Sequence, residues 1–329
     1  MRSSSLLLLA ATLMLLALPA NSLRVASFNV WRSGSSVHDG LNKIVRHIQW
    51  MNADIVALQE IMSSSDLLFI TENLGPPWQS VGRIDPDYID SAIISRFPID
   101  YLSAMQTPYA VGATIQIDRG LNITFYSVHL TWHYYGPYLA CDPNARASQA
   151  ELNEAEMGDL SVRDPTRRYQ NLLEIVGTEH FRTTFRMAEI QPIIFAGDFN
   201  APSHLDWTSE MSGANCGWTH NWPVSEFMDK SLGFIDSFRH VYPQPSSYWG
   251  VTWSPVTAEN KELGFEPQDR IDYILYKSSK LEAVQAFVYS GYEYVNKIPN
   301  HYNNDWPSDH SAVVTHFNIR QFPGSPYRS

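Results

Sequence analysis

The chain has 329 residues, and its 34 acidic against 23 basic side chains give a formal net charge of −11. That length accommodates a large α/β unit with a sizeable core. The acidic balance excludes gripping nucleic acid or anionic membranes through a broad basic surface, so any polyanionic substrate must be held locally. At the N-terminus, Met1-Arg2 precedes a leucine-rich run from Leu6 to Leu18 and then Pro19-Ala20-Asn21. This reads as a secretory signal peptide over 1–22 with a small-residue cleavage site. A run of thirteen residues falls short of the roughly 18 that span a bilayer. The expectation is a secreted, extracellular protein with no stable membrane anchor, a folded domain over 23–322 and a short tail over 323–329.

Leu23 to Trp31 alternates in the manner of a strand that ends at Asn29. Leu41, Ile44, Val45 and Ile48 then form the apolar face of a helix. Asp54 to Glu60 is a short buried strand ending on a carboxylate, and Ser91 to Ser95 and Ala110 to Asp118 continue the strand pattern. Asn122 to Leu130 is a strand that carries His129 at its end. A stretch rich in Tyr, Trp, Pro and Asn follows from Thr131 to about Thr166 and reads as a long irregular insertion, which inside a compact domain is usually functional. A helix from Arg167 leads to Ile193–Asn200, where four apolar residues run into Gly197 and place Asp198 and Asn200 two apart. A second irregular stretch runs from Ala201 to Pro223. Arg270 to Leu275, Leu281 to Tyr289 and Ser311 to Phe317 complete the strands. The pattern predicts a mixed sheet or two packed sheets flanked by helices.

Polar residues recur at strand ends, where α/β architectures collect their sites. Asn29, Glu60, Asp198, Asn200 and Asp309 supply hard oxygen atoms, with histidines nearby and no cysteine among them, which suits Mg²⁺, Mn²⁺ or Ca²⁺ better than zinc. The two cysteines, Cys141 and Cys216, pair as one disulfide if the compartment is oxidising. Asn122-Ile123-Thr124 is an acceptor sequon for a glycan.

The blocks SFNVW, ALQEI, SVHL, GDFNAP, RIDYIL and PSDH, in this order from Phe28 to Val314, resemble the endonuclease/exonuclease/phosphatase superfamily, which includes deoxyribonuclease I. The resemblance implies a four-layer α/β sandwich, two central mixed sheets between helices, and a metal-dependent phosphoesterase. By motif, Asn29, Glu60 and Asp309 resemble the metal-binding positions. Asp198 and Asn200 resemble the pair that orients water and the scissile phosphate. His310 resembles the catalytic histidine, Asp272 the carboxylate that holds its ring, and His129 a histidine that contacts the phosphate or protonates the leaving oxygen. The expected activity is hydrolysis of a phosphodiester by in-line attack of water, nuclease-like, with nucleic acid among the candidate substrates and no obligate protein partner indicated. A phosphomonoesterase or a sphingomyelinase-like enzyme is the alternative among hydrolases, and a non-catalytic secreted binding module the alternative of another class. Trp132, Tyr135 and Trp218, on the loops joined by the expected disulfide, and Arg168, a positive group at the start of the following helix, are candidate substrate contacts.

Overall fold

The computed structural model describes residues 22–320 except 86, 87 and 119. The segment read as a signal peptide, save Ser22, and the tail over 323–329 lie outside the described residues. Two six-stranded sheets form the centre. The strands are β1 (Ser22–Asn29), β2 (Ile55–Ile61), β3 (Gln79–Gly82), β4 (Asp90–Ser95), β5 (Ile99–Thr107), β6 (Ala110–Asp118), β7 (Leu121–His129), β8 (Ile193–Asp198), β9 (Ile235–Asp236), β10 (Asp272–Lys277), β11 (Leu281–Tyr289) and β12 (Ala312–Ile319). One sheet has the order β11-β12-β1-β2-β4-β3 and the other β5-β6-β7-β8-β10-β9. Each has one parallel pair at its centre, β1 with β2 and β7 with β8, and antiparallel neighbours outside it.

The central strands are covered on both faces, so they read as nearly continuous apolar runs. Val25, Ile55, Ala57 and Ile93 point between the sheets and meet Ala113, Phe125, Ile194 and Ile274 of the second sheet. The alternate residues Ala26, Phe28, Val56 and Leu58 face outward onto Ile44 and Ile48 of the helix Gly40–Met51. On the far side, Tyr126, Val128 and Phe195 pack on Leu172, Ile175 and Phe181 from the helices Arg168–Val176 and Glu179–Arg186. The result is helix, sheet, sheet, helix, the sandwich expected from the sequence.

The expected strands are present, their ends within a residue or two. The nine strands of the sequence pattern become twelve among the described residues. Gln79–Gly82 is half-buried throughout, and β5 shows outward side chains such as Leu102. β9 has two residues. The helix Ser64–Leu74, with Ser63 capping Asp66 N, also went unread. The insertion after Thr131 is a correction: it holds two helices, Gly136–Cys141 and Gln149–Met157. Ser148 and Glu151 form a capping box at the start of the second, satisfying otherwise orphaned backbone donors.

Topology places the site. In a parallel pair both strands end on the same edge, so β1, β2, β7 and β8 deliver Asn29, Glu60, His129 and Asp198 to one edge. The antiparallel neighbours begin where these end, which adds Asp272 at the start of β10, Asp90 at the start of β4 and His310 just before β12. His129, Asp198 and Asp272 stand in one row across three adjacent strands. Gly197 permits this: a Cβ there would lie 1.9 Å from Val128 O, so any larger residue would force β7 and β8 apart.

Candidate active site

Asp198 is the hub of the site. It is buried, and its Oδ1 accepts the Asn200 backbone N–H at 2.8 Å. Its Oδ2 accepts the Asn29 amide at 3.1 Å and lies 3.6 Å from Nε2 of both His129 and His310. Each imidazole is backed by a second carboxylate: His310 Nδ1 donates to Asp272 Oδ2 at 3.0 Å, and His129 Nδ1 to Asp90 Oδ1 at 2.7 Å. Burial works against charging these rings, but the carboxylates outweigh it. Asp272 and Asp198 hold His310 well above the usual histidine range, and Asp90 and Asp198 raise His129 to about 10. The carboxylates thus favour the imidazolium form of both rings. Asp198 is itself raised by burial, with His310 opposing and Asp272 reinforcing the shift.

Glu60 and Asp309 form the second acidic group, in the same pocket as Asp198 and both histidines. Glu60 accepts from the Asn29 amide at 3.1 Å and from the Arg32 N–H at 2.9 Å. Asn29 thus ties the two sheets together, its amide shared between Glu60 and Asp198 and its Oδ1 accepting the Trp31 N–H at 3.0 Å. Asp309 Oδ1 is buried with no hydrogen-bond partner. Burial pushes its carboxyl up to about 7, with His310 opposing the rise and Glu60 reinforcing it. A buried, unpartnered carboxylate oxygen beside a second carboxylate, with no sulfur donor in the pocket, fits a hard divalent cation. The acid-lined triad of Asp198, Asp272 and His310 also has its ligating atoms within 4.8 Å of one another. There the positive charge is already supplied by the imidazolium, and a cation would have to displace it.

The backbone at this edge is unusual. Glu60 and Asp90 have φ of 62° and Asn200 of 49°, left-handed values that non-glycine residues adopt at a cost of roughly 1 kcal/mol or more each. Such conformations persist where the surroundings over-determine them, and each of these residues carries a side chain of the site.

The pocket encloses about 400 Å³, and its other wall is aromatic: Trp31, Trp132, Tyr135, Tyr138 and Trp253. Trp132 and Tyr135 are thus beside the polar groups, as the sequence suggested. Arg168 and Trp218 are not, and both are corrections. Arg168 is fully buried and donates to the carbonyls of Thr131, His133 and Tyr134, which makes it the clamp of the loop after β7. Trp218 packs against a satellite core of Ala140, Leu152, Trp207 and Trp222. Large loops need their own core, and these aromatics supply it. The disulfide Cys141–Cys216 is formed, with the Cα atoms 5.3 Å apart, and joins the helix Gly136–Cys141 to the stretch after β8. Asn122 is exposed at the start of β7, at the opposite end of the strand from His129.

Asp90 and Trp253 are residues the sequence reading missed. Asp90 had a signal, a carboxylate immediately before the apolar strand Ser91–Ser95. Trp253 lies in an irregular segment and reaches the site through bridges to Asp269 and His310 that have no local pattern.

Comparison with known proteins agrees with this geometry. The model of the Endonuclease/Exonuclease/phosphatase family matches residues 26–310. The chain belongs to that family. The uncharacterized protein F14F9.5 of Caenorhabditis elegans is 37% identical over 305 residues, covering 91% of this chain and 92% of that one. The CCR4-Not complex 3'-5'-exoribonuclease subunit Ccr4 of Mycosarcoma maydis is 27% identical over 132 residues, 40% of this chain but 18% of that protein. Among solved structures, TDP2 from Caenorhabditis elegans superposes with a TM-score of 0.55 over 91% of this chain and 74% of that one, at 16% identity. A functionally unknown conserved protein from Enterococcus faecalis gives 0.53 over 91% and 100%, at 14% identity. At such identities the superpositions establish the fold, the two-sheet sandwich of this endonuclease/exonuclease/phosphatase family.

Proposed function

We propose that this family member is a secreted, divalent-metal-dependent phosphodiesterase, nuclease-like in its chemistry. The observation that carries the reading is the position of Asp198 Oδ2, 3.6 Å from each of two carboxylate-backed imidazoles and in one pocket with Glu60 and Asp309. A phosphate ester alone would be repelled here, since each carboxylate about 4 Å away opposes it by about 4 kcal/mol at an effective dielectric near 20. Mg²⁺, or Mn²⁺ or Ca²⁺, held by Glu60 and Asp309 beside Asn29 would reverse the local sign, polarise a phosphoryl oxygen and offset charge on the leaving group.

The protein's own groups divide the remaining work. With both imidazoles charged, Asp198 is the proton acceptor among the three. It receives a hydrogen bond from the attacking water and takes its proton as the water oxygen bonds to phosphorus. Asn200, whose backbone N–H donates to Asp198 Oδ1 and whose side chain donates to Leu130 O at 2.9 Å, lines the pocket and would meet the bound phosphate. His310, oriented by Asp272, stabilises the charge gathering on the phosphoryl oxygens. His129, oriented by Asp90, gives its Nε2 proton to the leaving oxygen as the P–O bond breaks.

The supporting experiment is hydrolysis of methyl p-nitrophenyl phosphate by the purified mature protein, with and without Mg²⁺ and excess EDTA. Chelator-sensitive release of p-nitrophenol is expected, and full activity in EDTA contradicts the assignment. Secretion rests on the leucine-rich N-terminus and the Cys141–Cys216 pair, which is stable in an oxidising compartment. Recovery of the protein in culture medium, beginning near residue 23 and glycosylated at Asn122 in a eukaryotic host, checks it.

A further inference from the structure

Three of the five polar tips of the aromatic wall are bound to carboxylates outside the pocket lining. Tyr135 OH donates to Asp269 Oδ2 at 2.9 Å, Tyr138 OH to Glu266 Oε1 at 2.7 Å and Trp253 Nε1 to Glu266 Oε1 at 2.7 Å. What the wall shows the substrate is ring surface. With these three donors engaged, the wall offers few hydrogen bonds to the hydroxyls of a sugar ring, and Arg32 is the one arginine or lysine among the lining residues, so further phosphates gain little. The group beside the scissile phosphate is therefore flat and poor in charge.

Trp132 is the distinctive member of this wall. It lies on the His133 ring with centroids 4.1 Å apart and planes 20° apart, yet it is 67% exposed. One face is filled and the other is open at the pocket. The pair is rigidly seated: His133 Nδ1 is 2.7 Å from Thr131 Oγ1, and the buried Arg168 holds the carbonyls of Thr131, His133 and Tyr134. A large exposed indole held in a ready-made stack gains most by adding a further ring, and a base offers that ring whatever its identity.

We propose that Trp132 is a nucleobase-stacking platform, so that the enzyme acts on an unpaired nucleotide whose base lies on the indole while its phosphate lies at Asp198. This rests on the phosphodiesterase reading above. About 400 Å³ of pocket holds one such nucleotide, and a base stacked between its neighbours inside a duplex has no free face to offer. Arg168, by holding the loop, positions the platform without touching the substrate.

The test compares single-stranded oligonucleotides with matched strands carrying an abasic site at the scissile position, in Mg²⁺, for the unaltered protein, Trp132→Ala and Trp132→Phe. The unaltered protein is expected to favour the base-bearing strand in kcat/KM, mainly through KM. Trp132→Ala should shrink that preference about 10- to 100-fold, and Trp132→Phe should restore most of it. Equal losses on both strands, or an unchanged preference, overturn the platform. A second arm needs no turnover: intrinsic tryptophan fluorescence is titrated with a base-bearing dinucleotide and with its abasic counterpart. Quenching by the first alone, lost in Trp132→Ala, supports the proposal; equal responses refute it. Preferred cleavage of a phosphocholine diester that depends on Trp132 also refutes it, in favour of a cation held on the ring face. If methyl p-nitrophenyl phosphate is hydrolysed in a chelator-sensitive way but the two strands behave alike, only the platform fails. If nothing is hydrolysed while quenching remains base-specific, only the catalytic reading fails.

Discussion

His129 Nδ1 lies 2.7 Å from Asp90 Oδ1, and this pair stands across Asp198 from the pair His310 and Asp272. Asp90 is buried in the left-handed region, a conformation asparagine adopts readily. Asp90→Asn should therefore keep the fold while removing the charge that holds His129 protonated and aimed. The expected loss in kcat is about 10²- to 10⁴-fold, by the logic of an orienting carboxylate behind a catalytic imidazole. Steady-state kinetics together with an unchanged unfolding midpoint check it; wild-type turnover would remove His129 from the mechanism.

Asp198 and Asp309 should separate in function. Asp309 Oδ1 is buried without a partner, whereas Asp198 accepts hydrogen bonds from Asn29 and Asn200 and has an imidazole nitrogen 3.6 Å away on each side. Asp309→Asn is expected to weaken Mg²⁺ or Mn²⁺ binding at least tenfold by calorimetry. Asp198→Asn should keep much of the metal affinity and lose most of the turnover. Parallel losses of metal and activity in Asp198→Asn would contradict that division.

The legible part of this molecule was its strand ends. Asn29, Glu60, His129, Asp198, Asp272, Asp309 and His310 all reach one edge because a parallel pair at the centre of each sheet ends there and antiparallel neighbours start there. Apolar runs that stop abruptly on a polar residue carry that information locally. The fate of Arg168 and Trp218 does not: whether a loop side chain faces a pocket or a satellite core depends on contacts far along the chain, as Trp218 packing against the cluster that includes Ala140 and Leu152 shows. The helix Gln149–Met157 was hidden for another reason. Only Leu152 and Glu156 of its nine residues are buried, so it lacks an apolar stripe, and its capping box was the sole clear sign.

The disulfide should matter for stability more than for chemistry. It closes a loop of 75 residues, for which the chain-entropy model sets an upper figure of about 4.5 kcal/mol. Replacing Cys141 and Cys216 together by alanine should lower unfolding stability by about 2–4 kcal/mol in denaturant titrations. Hydrolysis of methyl p-nitrophenyl phosphate by the folded fraction should persist, because no catalytic group belongs to the linked segments.

The clearest pH effect on folding should come from Glu156, which is remote from the metal-binding carboxylates. It is fully buried beneath the loop it helps to hold: Oε1 accepts the Val224 N–H, Oε2 has no partner, and the Arg168 guanidinium is its main opposite charge. Burial pushes its carboxyl from 4.5 up to about 7, with Arg168 and the Val224 N–H opposing. Below 4.5 folded and unfolded chains both keep the proton, and the group is neutral in each. Between 4.5 and about 7 the unfolded chain releases it while the folded chain retains it, so stability falls as pH rises through that window and then levels off. A shift of this size corresponds to about 3 kcal/mol. Glu156→Gln keeps an acceptor for Val224 N–H and has no proton to lose. Its denaturant midpoint should vary less than that of the unaltered protein between pH 4.5 and 7 and lie above it at pH 8. Parallel profiles for the two proteins would show that Glu156 is ionised in the fold, paired with Arg168.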